Sequence, residues 1–271
     1  MSNEDEPDIR LILDEIFRRY HYDFRNYSLA SLKRRLNVAC VQLRCASLGE
    51  LRERLLVDGA VFARLLQYLT VQVSDMFRDP SFFVSLREHI VPVLRTYPSL
   101  KIWVAGCSTG EELYSFAIVL REEGLLERSV LYATDINPEA LRKAETGIYP
   151  LDRAAVFSEN HRAAGGKRSL SAYYAAAYDS IAFDRSLRRN VIFADHSLAT
   201  DSVFAEVHVV SCRNVLIYFD HALQERALGL AKDALCRRGF LGLGSRETLL
   251  LSSHAMAFTE LVAGERWYQK C

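Results

Sequence analysis

Residues 101–150 read KIWVAGCSTGEELYSFAIVLREEGLLERSVLYATDINPEALRKAETGIYP, and this stretch decides the fold. A short β-favouring run at 101–105 breaks at Gly106, after which Leu113, Phe116, Ala117 and Leu120 repeat with helical spacing up to Gly124. A second strand is predicted at 130–134 and delivers Asp135 at its carboxyl end, while Asn137, Pro138 and Glu139 supply a capped start for the next helix. Strand, tight turn, helix and strand make one winding of an open parallel sheet. Ligands of such sheets bind outside the carboxyl ends of the strands, so residues 106–110 and Asp135 are predicted to face one crevice. Glycines at 106 and 110 would let a ligand approach the backbone.

A carboxylate at the second strand's tip suits a ribose diol, because it accepts two hydroxyl protons. The expected ligand is therefore a nucleoside. A phosphate-gripping Walker loop ends in Gly-Lys-Ser/Thr, whereas Gly110 is followed by Glu111 and Glu112, which would repel phosphates. The dinucleotide fingerprint needs Gly-x-Gly-x-x-Gly, and 106–110 has the wrong spacing with no third glycine. S-adenosylmethionine carries a sulfonium and an ammonium and no phosphate, and it fits best. Glu111 and Glu112 also suit a helix N-terminus through its dipole, so these two residues alone do not decide the matter.

With 271 residues the chain has room for a modest helical domain and an α/β domain. Its 34 basic residues balance 34 acidic ones, which argues against bulk nucleic-acid binding. No apolar run approaches the roughly 20 residues of a membrane span, and the acidic start MSNEDEPD is unlike a secretory signal. A cytoplasmic protein without membrane insertion is expected. The cysteines at 40, 45, 107, 212, 236 and 271 have neither Cys-x-x-Cys nor zinc spacing, so no metal site is predicted. Cys107 and Cys212, at predicted strand ends, read as small buried filler.

Upstream, helices are predicted at 9–20, from 29, at 48–56 and at 61–69. In the second, Leu29, Leu32, Leu36, Cys40 and Leu43 form an apolar stripe with Lys33, Arg34 and Arg35 between them. That basic cluster suits an acidic protein surface, and a solvated helix face equally well. The segment 71–80, VQVSDMFRDP, is too apolar for an ordinary linker; Arg78 serves either the crevice or an ion pair with Asp75 or Asp79. A helix at 82–94 leads into the decisive stretch. Beyond Pro150 the pattern predicts a helical piece, a small β insertion at about 165–190, a strand at 185–193 and a structural His196. VHVVS at 207–211 is a buried strand whose end presents Arg213, Asn214 and Tyr218, the last with a core aromatic as its other reading. A helix at 223–235, a strand at 239–244 and a closing helix and strand at 258–268 complete the prediction. The domains expected are a helical one at 1–70, a linker and first helix at 71–98, and an α/β domain at 99–271.

MFRDP at 76–80, AGCSTGEELYS at 105–115, ATDINPEALRKAETGIYP at 133–150 and CRNVLIYFD at 212–220 stand in the order of the CheR-type protein-glutamate O-methyltransferases of bacterial chemosensory systems, and the chain closely resembles that family over nearly its whole length. The resemblance implies an N-terminal helical bundle followed by a class I, Rossmann-like methyltransferase domain with a small inserted β-subdomain. It implies S-adenosylmethionine as cofactor, S-adenosylhomocysteine as product, and a monomer that ends where the family's catalytic module ends.

The resemblance also implies roles. Gly106, Glu112 and Asp135 would bind the cofactor, Asp135 through the ribose hydroxyls, and Arg213 and Asn214 would line the same pocket near Tyr218. Arg78 would lie near the methyl group and orient the substrate carboxylate. Gln72 and Ser74 stand where the family has Asn-x-Thr, Met76-Phe77-Arg78 where it has Phe-Phe-Arg, and His196-Ser197-Leu198 where it has His-Asn-Leu. Gln and Ser keep the capacity to hydrogen-bond. Lys33, Arg34 and Arg35 would contact the helical methylation region of a chemoreceptor's cytoplasmic domain. Two other readings stand beside this one: a cofactor-binding regulatory protein without catalysis, and a methyltransferase for a non-receptor substrate.

Overall fold

The computed structural model describes residues 6–271. The chain forms two compact units. One comprises residues through Gln72 with Ser197–Asp201 and Tyr218–Ala227, and the other comprises Val73–His196, Ser202–Ile217 and Leu228–Cys271.

The smaller unit contains α1 (Glu6–Tyr20), α2 (Leu29–Leu43), α3 (Leu48–Val57) and α4 (Gly59–Leu69). Apolar residues at steps of three and four put Ile9, Ile12, Leu13 and Ile16 of α1 into one core with Leu32, Leu36, Leu51, Leu55, Leu65 and Leu69. Ser47 caps α3 by accepting from the Glu50 N–H at 3.2 Å, while the Glu50 carboxylate accepts from the Ala46 N–H at 2.7 Å. In α2 the basic triplet splits: Arg34 is exposed, Lys33 is half-buried and Arg35 is buried with the apolar stripe. Arg35 donates to the Leu69 carbonyl and lays its guanidinium 4.5 Å from the Tyr218 ring centroid. It is a structural side chain of this unit and not part of an exposed docking face, which corrects the sequence reading.

The larger unit is built on β1 (Leu100–Ala105), β2 (Ser129–Asp135), β6 (Val191–Asp195), β7 (Val207–Cys212), β8 (Leu235–Leu243), β9 (Phe258–Val262) and β10 (Trp267–Lys270), in the order β6-β2-β1-β7-β8-β10-β9. The first five run parallel, and β10 is antiparallel to both its neighbours. In β1 only Lys101 is exposed, as expected of a strand with helices on both faces. The order reverses at β1, with β2 on one side and β7 on the other, so the crevice opens at the carboxyl ends of these strands. Helix α7 (Glu111–Glu122) follows β1, and α8 (Pro138–Thr146) follows β2, its start capped by Asn137 Oδ1 accepting from the Glu139 and Ala140 N–H groups at 2.9 and 3.3 Å.

The predicted helix at 82–94 is three joined pieces: α5 (Pro80–Ser85), a π turn (Leu86–Ile90) and α6 (Val91–Leu94). Pro92 lacks the N–H a regular helix would use, and the wider turn absorbs that loss. The insertion's strands are β4 (Tyr174–Ala177) and β5 (Ser180–Phe183), and the second sheet is completed by β3 (Ile148–Pro150), which lies ahead of the predicted 165–190. Helix α9 (Ala154–Ala163) sits between β3 and β4 in sequence. The strand expected at 185–193 begins only at Val191, because Asp184 accepts from the Ser186 N–H at 2.7 Å and starts a 3-10 turn. No closing helix forms at 258–268. Trp267 and Tyr268 are buried in β10, and the Trp267 ring stacks on Phe82 at 4.3 Å.

The end of α7 is tied to the insertion through Glu122, whose buried carboxylate accepts from Arg87, from His161 Nε2 at 3.1 Å, from the Tyr173 hydroxyl at 3.0 Å and from the Lys167 N–H at 3.0 Å. Burial pushes this carboxyl up, but the hydrogen bonds from His161 and Arg87 outweigh it and hold the group down at about 2. A depressed carboxyl contributes stability that is present above its unfolded value and is lost as the pH falls towards its folded one. Glu122→Gln is therefore expected to lower stability at pH 7 by about 3 kcal/mol, with the difference from wild type shrinking between pH 4.5 and about 2. Denaturant titration at pH 7 and pH 3 checks this, and a pH-independent difference would count against the charged network.

Candidate active site

The loop from β1 into α7 carries three left-handed residues, Gly106 (φ 69°), Ser108 (φ 51°) and Gly110 (φ 95°). A Cβ on Gly106 would lie 2.5 Å from Val215 Cγ2, and one on Gly110 would lie 2.8 Å from Ala144 Cβ. These glycines are required by the packing of the loop against its neighbours, over and above any approach of a ligand. Glu111 turns inward and accepts from the Thr109 hydroxyl at 2.7 Å, with burial pushing its carboxyl up.

Asp135 stands at the tip of β2 beside Asp195 of β6. Its Oδ2 accepts from the Ser108 N–H at 2.8 Å and its Oδ1 from the Asn137 N–H at 2.9 Å, so both oxygens are oriented and each retains a lone pair. Burial pushes the Asp135 carboxyl up, the two backbone bonds oppose that, and Asp195 adds to it. Next to it the Ser108 hydroxyl is buried with no hydrogen-bond partner. A half-buried acid beside an unmatched hydroxyl is a polar cradle, and it suits a cationic, hydroxyl-bearing ligand better than a phosphate.

Glu112, in the first turn of α7, accepts from the Ser211 hydroxyl at 2.7 Å and from Arg213 Nη1 at 2.8 Å. Arg213 also donates from Nη2 to the Arg78 carbonyl at 2.8 Å and to Asp79 Oδ2 at 2.9 Å, and its guanidinium lies 4.0 Å from the Phe82 centroid. Arg213 is thus enclosed, its side chain 1% exposed, and it braces the segment around residue 78. Phe77 and Asp79 both have left-handed backbones (φ 50° and 54°), so the chain reverses sharply on either side of Arg78. The Phe77 N–H donates to the Ser115 hydroxyl at 2.8 Å, and Asn160 of α9 holds the Met76 carbonyl at 3.0 Å.

Asp75 pairs with Arg153 and Asp79 with Arg213, so neither neutralises Arg78. The half-buried Arg78 guanidinium has no hydrogen-bond or ion-pair partner among the described residues.

Glu247 is a site residue that the sequence did not disclose. Buried to 4% exposure, it accepts from the Gly244 N–H at 2.7 Å and the Asn214 N–H at 2.9 Å with one oxygen and from the Ile217 N–H at 3.4 Å with the other. Asn214 has φ 59°, so this carboxylate fixes a left-handed turn directly after Arg213.

The other predicted residues take more local places. The Ser74 carbonyl accepts from Arg153 at 3.1 Å. In the helical unit, the Gln72 amide donates to the Thr70 hydroxyl at 3.1 Å, the Ser197 N–H donates to Asp201 at 2.9 Å, Leu198 is buried, and Tyr218 lies against Arg35. His196 Nε2 lies 3.2 Å from the Ser202 carbonyl, and its ring packs edge-on against Trp103 at 5.3 Å, a structural role. Cys107 and Cys212 are buried and their thiols are pushed well up by that burial, so they are filler and not nucleophiles.

Two family models match the chain: the CheR methyltransferase SAM-binding domain over residues 72–263 and the CheR methyltransferase all-alpha domain over residues 7–70. Cher3 of Pseudomonas putida, a chain named as a methyltransferase, is 55% identical over 272 residues, covering 100% of both chains. Chemotaxis protein methyltransferase 2 of Pseudomonas aeruginosa is 32% identical over 82% of this chain and 78% of its own. The chemotaxis protein methyltransferase of Listeria monocytogenes is 27% identical, over 84% of this chain and 85% of its own. The solved structure of SAM-bound CalS10, an amino pentose methyltransferase from Micromonospora echinaspora, is a distant likeness with TM-score 0.35 and 13% identity, covering 64% of this chain and 58% of that one. With its α/β unit matched by the first model and its helices by the second, this chain belongs to the CheR methyltransferase family, whose cofactor is S-adenosylmethionine.

Proposed function

We propose that the chain methylates glutamate side chains in the helical cytoplasmic region of a chemoreceptor, giving glutamate methyl esters in chemosensory adaptation. The observation that carries this reading is Arg78, a half-buried cation whose two neighbouring acids are engaged elsewhere. A cation held in that way calls for an anionic acceptor, and a glutamate carboxylate is one at neutral pH. The names of the relatives, chemotaxis protein methyltransferase, point the same way. No helix among the described residues is long and apolar enough to cross a membrane, and we place the reaction on the cytoplasmic side.

The cofactor, when bound, supplies an electrophilic methyl group. Asp135 is the residue we assign to its ribose hydroxyls, with Gly106, Ser108 and Glu112 around it and Asn214 on the opposing turn. Gln72, Ser74, Ser197 and Leu198 are proposed as further contacts. The acceptor carboxylate is already deprotonated, so no side chain need serve as a general base. What the protein must provide is orientation, and holding reactants in line accounts for about 7–11 kcal/mol in favourable cases. Arg78 is assigned that task, its backbone fixed by the bond from Arg213 to its carbonyl. Tyr218, four residues beyond Asn214 in the chain, is proposed as an acceptor-side residue. Lys33 and Arg34 are the proposed contacts for an acid-bearing receptor helix.

Arg78→Ala is expected to lower transfer of labelled methyl to receptor cytoplasmic fragments on the order of 100-fold, while calorimetric affinity for S-adenosylhomocysteine changes little. The label should be released by base as methanol. Equal loss of turnover and cofactor affinity would remove Arg78 from acceptor orientation, and base-stable label would exclude a carboxyl ester. Replacing Lys33 and Arg34 by Gln should raise KM for the receptor fragment and flatten its salt dependence, again with unchanged S-adenosylhomocysteine affinity. A KM insensitive to both substitution and salt would refute the docking role.

A further inference from the structure

We propose that the helical unit carries a separate binding site for a phosphate-bearing small molecule, in a recess of about 440 Å³ lined by Gln42, Leu43, Arg44, Arg54 and Arg64. The site lies where the carboxyl end of α2 meets α3 and α4, and it includes neither Lys33 nor Arg34. Arg44 ends α2 in the left-handed region (φ 56°), with its N–H bonded to the Cys40 and Val41 carbonyls. Arg54 is anchored from α3, its Nη1 donating to the Leu43 carbonyl at 2.7 Å and approaching Cys45 Sγ at 3.2 Å. That bond satisfies the negative end of α2 and leaves Arg54 Nε and Nη2 without a partner among the described residues. Arg44 and Arg64 are exposed, and neither guanidinium has a hydrogen-bond or ion-pair partner among the described residues.

Three guanidinium groups therefore line one concavity and no carboxylate does. Like charges gathered in a recess repel one another, and a bound anion relieves that repulsion. The planar fork of Arg matches phosphate oxygens two at a time, which favours phosphate over a single halide or a lone carboxylate. The recess is within the range of small-molecule sites, about 300–1,000 Å³, and exceeds what one orthophosphate fills. A chain of two or three phosphates uses all three arginines. No aromatic side chain lines the recess, so binding would rest on charge and not on stacking against a base.

Calorimetric titration of the whole protein with sodium tripolyphosphate, at low ionic strength and with S-adenosylhomocysteine saturating the cofactor site, tests the proposal. Saturable binding of one equivalent is expected, weakened roughly tenfold or more in Arg44→Ala and in Arg64→Ala and unchanged in Arg18→Ala, a 73% exposed arginine of α1 outside the recess. A parallel titration with adenosine triphosphate separates the sources: tighter binding than tripolyphosphate assigns a nucleotide, and equal binding assigns the phosphate chain alone. Absence of saturable heat, or the same loss in Arg18→Ala as in Arg64→Ala, would overturn the site. Unchanged unfolding midpoints in the variants would separate a lost ligand contact from a lost fold.

Discussion

The larger unit depends on one buried cation. Arg213 leaves the end of β7 and is met by Glu112 from α7, by Asp79 and the Arg78 carbonyl from the segment before α5, and by the ring of Phe82. Three pieces of chain far apart in sequence are thereby fixed at the carboxyl edge of the sheet. A buried charge is costly to desolvate, by several kcal/mol after relaxation, and here two carboxylates and a carbonyl offset that. Arg213 therefore braces the segment that carries Arg78. The cation available to another molecule is its neighbour, Arg78.

The same edge concentrates backbone that other residues avoid. Phe77, Asp79, Ser108 and Asn214 all have positive φ without being glycine, at about 1–2 kcal/mol each. Each has a side-chain hydrogen bond on or beside it: Phe77 to Ser115, Asp79 to Arg213, Ser108 to Asp135, and Asn214 to Glu247. The turns are thus held in shape by the surrounding fold. The insertion contributes as well, through Asn160 and Arg153, which grip the backbone at Met76 and Ser74.

Much of this was legible in the sequence. The strand, turn and helix around Gly106, the acid at 135 and the Asn137 cap are local patterns, and local patterns survive folding. Other features depend on distant partners and could not be read. The ion pair of Arg78 with Asp75 or Asp79 that the sequence allowed does not form, because Arg153 and Arg213, 75 and 135 residues away, hold those acids. Arg35 sits one step from Leu36 in the apolar stripe, and only the Leu69 carbonyl and the Tyr218 ring reveal why an arginine can face inward there. Glu247 is silent because its partners are backbone N–H groups, which no residue type advertises. At 258–268 the expected strand forms but the expected helix does not: two short strands stand there, with Trp267 of the second packed against Phe82.

The place of β10 in the sheet bears on how the protein is made. Trp267–Lys270 lies inside the sheet, between β8 and β9, and Lys270 Nζ reaches the Lys232 and Leu235 carbonyls at 2.7 and 2.6 Å. On the ribosome, domains form as their residues emerge. The larger unit cannot close its sheet until these four residues have been released, and the helical unit must likewise wait for Tyr218–Ala227. Once β8 has emerged, the edge that β10 will cover stays unpaired until Trp267–Lys270 follows, which is the kind of edge that invites wrong pairing.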